Sequence, residues 1–132
     1  MGQPAAKQGD KISATDTHIE MVPSGSGTTP VSIPNPFMGT IDGNLSSDVN
    51  IMGKPAATVD STATNNPPHS LMSGVSFQNP PSNKGTIILG SPTVKINGKM
   101  AARNGDTAET CNDPSDLPVG TVIATGTVMI GG

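Results

Sequence analysis

Aromatic residues are almost missing: among 132 residues there is no Trp, no Tyr, and only Phe37 and Phe77. A core without large rings buries little apolar area per residue, so apolar stabilisation is thin for this length. The same lack argues against a secreted adhesin or sugar-binding module, because sugars stack on ring faces. Cys111 is the single cysteine. It cannot form an intramolecular disulfide, which leaves the thiol buried, reactive or metal-bound. Charged residues make up only 13%, and the seven basic ones are scattered in a chain of net charge −3. Nucleic-acid binding needs clustered Lys and Arg, so that class is set aside. No apolar run is long enough for a membrane-spanning helix. The first residues, Met-Gly-Gln-Pro-Ala-Ala-Lys, lack the apolar segment of a secretion signal, and Ala6 breaks the N-myristoylation pattern. The chain is therefore expected to be made in the cytoplasm without a signal peptide, and any export would be by another machine.

What is abundant is Gly, at 16 residues, and Pro, at 13. The low charge does not suit disorder. Instead the chain repeats itself. Val94-Lys95-Ile96-Asn97-Gly98-Lys99-Met100-Ala101-Ala102-Arg103-Asn104-Gly105-Asp106 has a partial copy in Val49-Asn50-Ile51-Met52-Gly53-Lys54-Pro55-Ala56-Ala57. A third copy is split between the ends. Its front is Val128-Met129-Ile130-Gly131-Gly132, and its back is Gly2-Gln3-Pro4-Ala5-Ala6-Lys7-Gln8-Gly9-Asp10. Joining the last residue to the first completes it. We read one domain, 1–132, built from three related units, with one unit shared by the two termini.

Each unit carries a Gly-Thr-(Ile/Val) segment, beginning at Gly39, Gly85 and Gly120. Turn residues follow, and then a second alternating arm. This predicts β-hairpins at 39–51, 85–96 and 120–130. Residues 11–22 read as one or two short extended pieces, with β-branched Thr15 and Thr17 disfavouring a helix. Residues 24–36 read as loop, because Pro30, Pro34 and Pro36 exclude a helix or an interior strand. Residues 61–82, rich in Asn, Pro and Ser, read as a long connection anchored only by Leu71, Met72, Val75 and Phe77. The expected fold is all-β: a small cone of three hairpin units with pseudo-threefold symmetry and long Pro/Gly-rich loops. A lone hairpin is marginal in water, but three can bury one face of each against the others. Such a body suits a trimeric partner that it caps along the axis.

The two histidines and the cysteine fall once per unit. His18 lies 14 residues after Pro4, His69 lies 14 after Pro55, and Cys111 lies 11 after Met100. Equivalent positions in three closed units converge, and two imidazoles with one thiolate suit structural Zn2+. Taken singly, each could be an ordinary loop or core residue. For the fourth ligand Asn35, Asp16, Asp113 and water all qualify, and Asp16 could equally hold His18 from behind.

The Pro-Ala-Ala-Arg-x-Gly-Asp pattern behind these units resembles the PAAR-domain proteins. Here it reads Pro4-Ala5-Ala6-Lys7-Gln8-Gly9-Asp10, Pro55-Ala56-Ala57-Thr58-Val59-Asp60 and Met100-Ala101-Ala102-Arg103-Asn104-Gly105-Asp106. Lys7 replaces Arg in the first copy, and the middle copy lacks the Gly-Asp pair. The chain looks most like the stand-alone type found in extracellular contractile injection systems, the phage-tail-like particles related to type VI secretion. The resemblance implies a monomeric sharpened cone on the blunt end of a homotrimeric β-helical spike protein of the VgrG kind. It also implies zinc held near the tip by three histidines and a cysteine. His18, His69 and Cys111 match three of those places, and Asn35 stands where the remaining histidine would be expected.

The function expected is a non-enzymatic spike-tip cap that hides open strand ends and sharpens the spike for transient membrane puncture, on a particle released or delivered outside the cell. An alternative is a small zinc hydrolase, with Glu20 or Asp16 as general base. No HExxH-type motif accompanies it.

Overall fold

The computed structural model describes residues 2–131, and among these there are strands and turns but no helix. The strands are β1 (Gln3–Pro4), β2 (Lys11–Ser24), β3 (Gly27–Gly43), β4 (Asn50–Ile51), β5 (Lys54–Pro55), β6 (Thr62–Asn65) and β7 (Ser76–Phe77). There follow β8 (Lys84–Ile87), β9 (Lys95–Ile96), β10 (Lys99–Met100), β11 (Thr107–Thr110), β12 (Leu117–Ile123) and β13 (Met129–Ile130). The expectation of an all-β protein holds.

The main sheet is a closed meander. Its order is β12-β11-β8-β6-β3-β2-β7, and β12 pairs again with β2. The last pairing turns six strands into a barrel, with β7 added on β2. Closure removes the open edges that a set of short strands would otherwise expose. Inside lie Ile12, Phe37, Ile41, Ala63, Ile87, Ala108 and Val122, all essentially inaccessible. Small side chains suit a barrel this narrow, and Phe37 is the one ring in this apolar cluster.

The hairpins predicted at 39–51, 85–96 and 120–130 do not form as such. Their first arms join the barrel, while their second arms fold into separate two-residue ladders: β4 with β5, β9 with β10, and β13 with β1 across the termini. The two arms serve different cores. Ile41, Ile87 and Val122 belong to the barrel, whereas Ile51, Ile96 and Ile130 pack with Ala5, Ala56 and Ala101 in a second cluster. Pairing with neighbouring strands satisfies both edges of each first arm, which a local hairpin would not do. The small turns use left-handed backbone, at Met52-Gly53 (φ 51° and 81°) and Asn97-Gly98 (φ 54° and 79°), as tight two-residue hairpins require. The chain ends follow the expected split unit as far as Gly2 and Gly131. The junction residues Met1 and Gly132 lie outside the described residues.

The X-Ala-Ala segments link the units in a cycle. Ala57 N–H donates to Ala6 O (3.0 Å), Ala6 N–H to Ala102 O (2.9 Å), and Ala102 N–H to Ala57 O (3.1 Å). A second cycle runs Gln8 N–H to Pro55 O, Val59 N–H to Met100 O and Asn104 N–H to Pro4 O, each at 2.9 Å. Three backbones this close leave room for a methyl group and little more. The first alanine of each pair faces the small cluster and the second faces the barrel floor.

The middle copy keeps the turn geometry without the Gly-Asp residues. Asp60 takes a left-handed φ of 79°, beside 92° at Gly9 and 91° at Gly105. Asp10 and Asp106 accept the backbone N–H of Lys7 and Arg103 at 3.0 and 2.7 Å, and Ser61 Oγ accepts that of Thr58 at 2.9 Å.

Residues 24–36, expected as loop, are instead mostly strand. β2 and β3 form one hairpin whose register runs from Lys11↔Thr40 to Ser24↔Gly27. Pro30, Pro34 and Pro36 share one phase of β3, facing Met21, Thr17 and Thr15. The Thr17 N–H points away from β3, towards Asn112. Its partner Pro34, and the two prolines in phase with it, therefore need no donor towards β2. They occupy an edge, where proline is tolerated. Residues 11–22 accordingly belong to one strand.

Ser61 is fully buried, and its hydroxyl also donates to Asn44 O at 2.8 Å. Replacing it strands a buried donor and acceptor, so Ser61→Ala is expected to cost about 1–3 kcal/mol in urea unfolding. An unchanged midpoint and slope would show that this serine does not stand in for the missing aspartate.

Candidate metal centre

Strand β2 alternates. Ile12 points into the apolar barrel, and further along the same face Asp16, His18 and Glu20 are each buried. An apolar face thus becomes polar along one strand, and the cost of burying those groups must be met by partners. Cys111 arrives directly after β11 and is 3% exposed. Its approach is fixed by the residues that follow it. Asn112 Oδ1 accepts the Thr17 N–H at 2.6 Å, Asp113 N–H donates to Thr17 O at 2.8 Å, and Asp113 Oδ2 accepts the Ile19 N–H at 2.8 Å. Residues 112–113 thus bind β2 alongside its buried polar stretch and seat Cys111 beside His18. His69 comes from the connection after β6. Its backbone N–H donates to Asn83 Oδ1 at 2.7 Å.

These four side chains meet. One ligand atom from each of Asp16, His18, His69 and Cys111 lies within 4.8 Å of all the others. His69 Nε2 is 2.6 Å from Asp16 Oδ2, Cys111 Sγ is 3.5 Å from the same oxygen, and Cys111 Sγ is 3.6 Å from His18 Nε2. Asp16 Oδ1 also accepts the hydroxyl of Thr110 and the Asn112 amide. The carboxylate is therefore aimed, with one oxygen anchored and the other facing the cluster.

The sequence candidates separate cleanly. His18, His69 and Cys111 stand together, and Asp16 stands with them. Asp113 lies on the far side of His18, with Oδ2 3.6 Å from Nδ1. Asn35 is buried and directly opposite Asp16 in the β2–β3 register, but its Nδ2 has no partner. Thr110 and Asn112, which aim the carboxylate, carry no sequence signal beyond being polar neighbours of Cys111.

The donor set fits a divalent metal such as zinc: two imidazole nitrogens, one sulfur and one carboxylate oxygen. Both histidines turn Nε2 inward, while His18 Nδ1 and His69 Nδ1 are buried without a hydrogen bond, Asp113 Oδ2 standing 3.6 Å from His18 Nδ1. Tetrahedral bonds of roughly 2.0–2.3 Å separate donor atoms by about 3.3–3.8 Å. The two sulfur distances agree, and the His69–Asp16 pair at 2.6 Å would need to open. Burial, and next the Asp16 carboxylate, push the Cys111 thiol up to about 11. A cation among these donors would reverse that and favour the thiolate.

Residues 78–132 match the family model described as PAAR motif. That stretch contains Cys111 and the third X-Ala-Ala segment. No curated protein matches the chain.

The raised thiol gives a pH test on metal-free protein. The unfolded chain loses its thiol proton near 9, while the folded chain keeps it to about 11. The unfolded state then binds fewer protons over that interval, so stability falls as pH rises through it, by on the order of 2 kcal/mol. Urea melts from pH 8 to 11 should show this loss, and Cys111→Ser should show a flatter profile. Equal slopes in the two proteins would contradict the burial of a neutral thiol.

Proposed function

We propose, from the premise that this chain is a PAAR-motif protein, that it is the tip of a spike in a contractile, type VI-like injection machine. Spike-tip action in such systems is what the PAAR motif supports in general. The finer reading is that the chain, as one PAAR-like domain over 1–132, is a monomeric cone with pseudo-threefold symmetry seated on a homotrimeric, VgrG-like β-helical spike. It sharpens that spike for transient puncture of a target membrane. It travels with a phage-tail-like particle released or delivered outside the producing cell.

One observation carries this reading: the closed cycle of backbone hydrogen bonds among Ala6, Ala57 and Ala102. It gathers three small ladders around one apolar cluster, and on this reading their edges face a common end. Exposed Val49, Met52, Val128 and Met129 lie on or beside those ladders. A trimer ending in three identical strand edges could meet all of them at once, burying apolar side chains and covering open backbone groups. On this reading the ladders β4–β5, β9–β10 and β13–β1 carry the docking.

Zinc is the metal proposed for the centre, held by His18, His69, Cys111 and Asp16. It would supply no reaction, only cross-linking of β2, the β11 end and the 66–83 connection. Glu20, the base of the hydrolase alternative, is occupied by three backbone N–H groups, and Asp16 by Thr110 and His69. Neither carboxylate is placed to activate water.

Elemental analysis of untagged protein should find about one zinc per chain, with Cys111→Ser losing most of it. Mixing with a trimeric β-helical spike should give one chain per trimer on a sizing column, and Met52→Asp with Met129→Asp should abolish the complex. A folded protein without metal would contradict the zinc assignment. Binding that survives the two aspartates but is lost on Leu71→Asp with Met72→Asp would contradict the proposed orientation.

A further inference from the structure

Glu20 is completely buried, and neither the metal centre nor the docking face uses it. It lies two residues beyond His18 on the same face of β2. Among the described residues no Lys or Arg is paired with it. Its oxygens are instead filled by backbone donors of one short segment. Oε1 accepts N–H from Met72 (3.1 Å), Ser73 (2.9 Å) and Gly74 (2.7 Å), and Oε2 accepts that of Met72 at 3.0 Å. The loop is thus built around the Glu20 carboxylate.

The fit is close. A Cβ at Gly74 would come 2.7 Å from Met21 O and 2.8 Å from Glu20 Cβ. Only glycine lets the segment lie down on the strand. Beyond it, Val75 N–H donates to Met21 O and Gln78 N–H to Ile19 O, and β7 pairs with Glu20 and Met21. His69 stands three residues before the clamped segment. On its other side, Asn65 anchors through Met38 and Asn83. His69 therefore sits in a connection tied at both ends, and the tie on its C-terminal side is Glu20.

We propose that Glu20 is a positioning residue for the metal centre: its carboxylate clamps residues 72–74 and so holds the His69 imidazole against Asp16. The inference rests on the metal reading for its consequence, but the clamp itself exists without metal. β2 then supplies Asp16 and His18 directly, and His69 through the loop that Glu20 secures. Partners of this kind change metal affinity by about 10–100-fold when removed.

The test uses the full chain with Glu20→Gln, which keeps size but removes charge and one acceptor. In metal-free protein, amide exchange at residues 72–74 should quicken at least about tenfold while the barrel amides stay protected. The His69 imidazole 15N signals should lose the signature of a ring held by a carboxylate. Zinc affinity, read by competition with a chromophoric chelator, should fall about 10–100-fold. Gly74→Ala lifts the same loop with the carboxylate intact, and should shift the same readouts if Glu20→Gln fails to fold. Freed amides with unchanged His69 signals and unchanged zinc affinity, in either variant, would overturn the proposal. A wild type that holds no zinc, in which Glu20→Gln still frees the His69 ring, would support the clamp and contradict the metal reading instead.

Discussion

Everything in this chain depends on the three hydrogen bonds that tie Ala6, Ala57 and Ala102 in a ring. Backbone groups buried this deeply must be paired, and here each segment is the partner of the next. The side chains must then be small, so alanine recurs twice in each segment. One alanine of each pair floors the barrel and the other roofs the small cluster beneath it. The ring also brings the chain ends together, because the β1 and β13 halves of one unit must complete it.

The closed barrel has a second consequence. Above the apolar layer of Ile12, Phe37, Ile41, Ile87 and Val122, the interior is polar: Asp16, His18, Glu20, Thr110 and Asn112. A core with so little aromatic surface ends where its hydrogen-bonded cluster begins. Structural zinc sites contribute on the order of 10 kcal/mol to folding, comparable to the net stability of a small domain. A metal at Asp16, His18, His69 and Cys111 would therefore matter most in a protein like this one. One ion there would cross-link strand β2, the 66–83 connection and the β11 end.

Much of this was legible in the chain. The X-Ala-Ala recurrence gave the split unit, and the spacing of His18, His69 and Cys111 gave three members of the cluster. Asp16 stood among four candidates that only geometry could sort. The prolines of 24–36 misled because their meaning depends on phase: Pro30, Pro34 and Pro36 share one edge of β3, and no composition rule sees that. Hairpins were expected within each unit because the arms are adjacent in sequence, yet the barrel arms pair with neighbouring strands. Ser61 and Asp60 hid the third turn because a hydroxyl and a left-handed aspartate replaced the expected pair. Glu20 was visible only as a possible base, and its clamp was not, since its partners are the backbone amides of Met72, Ser73 and Gly74, far along the chain.

The central claim is that one carboxylate, two imidazoles and one thiolate converge on a single metal. The absorption spectrum of the cobalt(II)-substituted protein tests it most directly. The account predicts intense visible bands of a four-coordinate ion, with a near-ultraviolet thiolate band that vanishes in Cys111→Ser and visible bands that weaken in Asp16→Asn. Weak bands of a six-coordinate ion, with no thiolate transition, would contradict it.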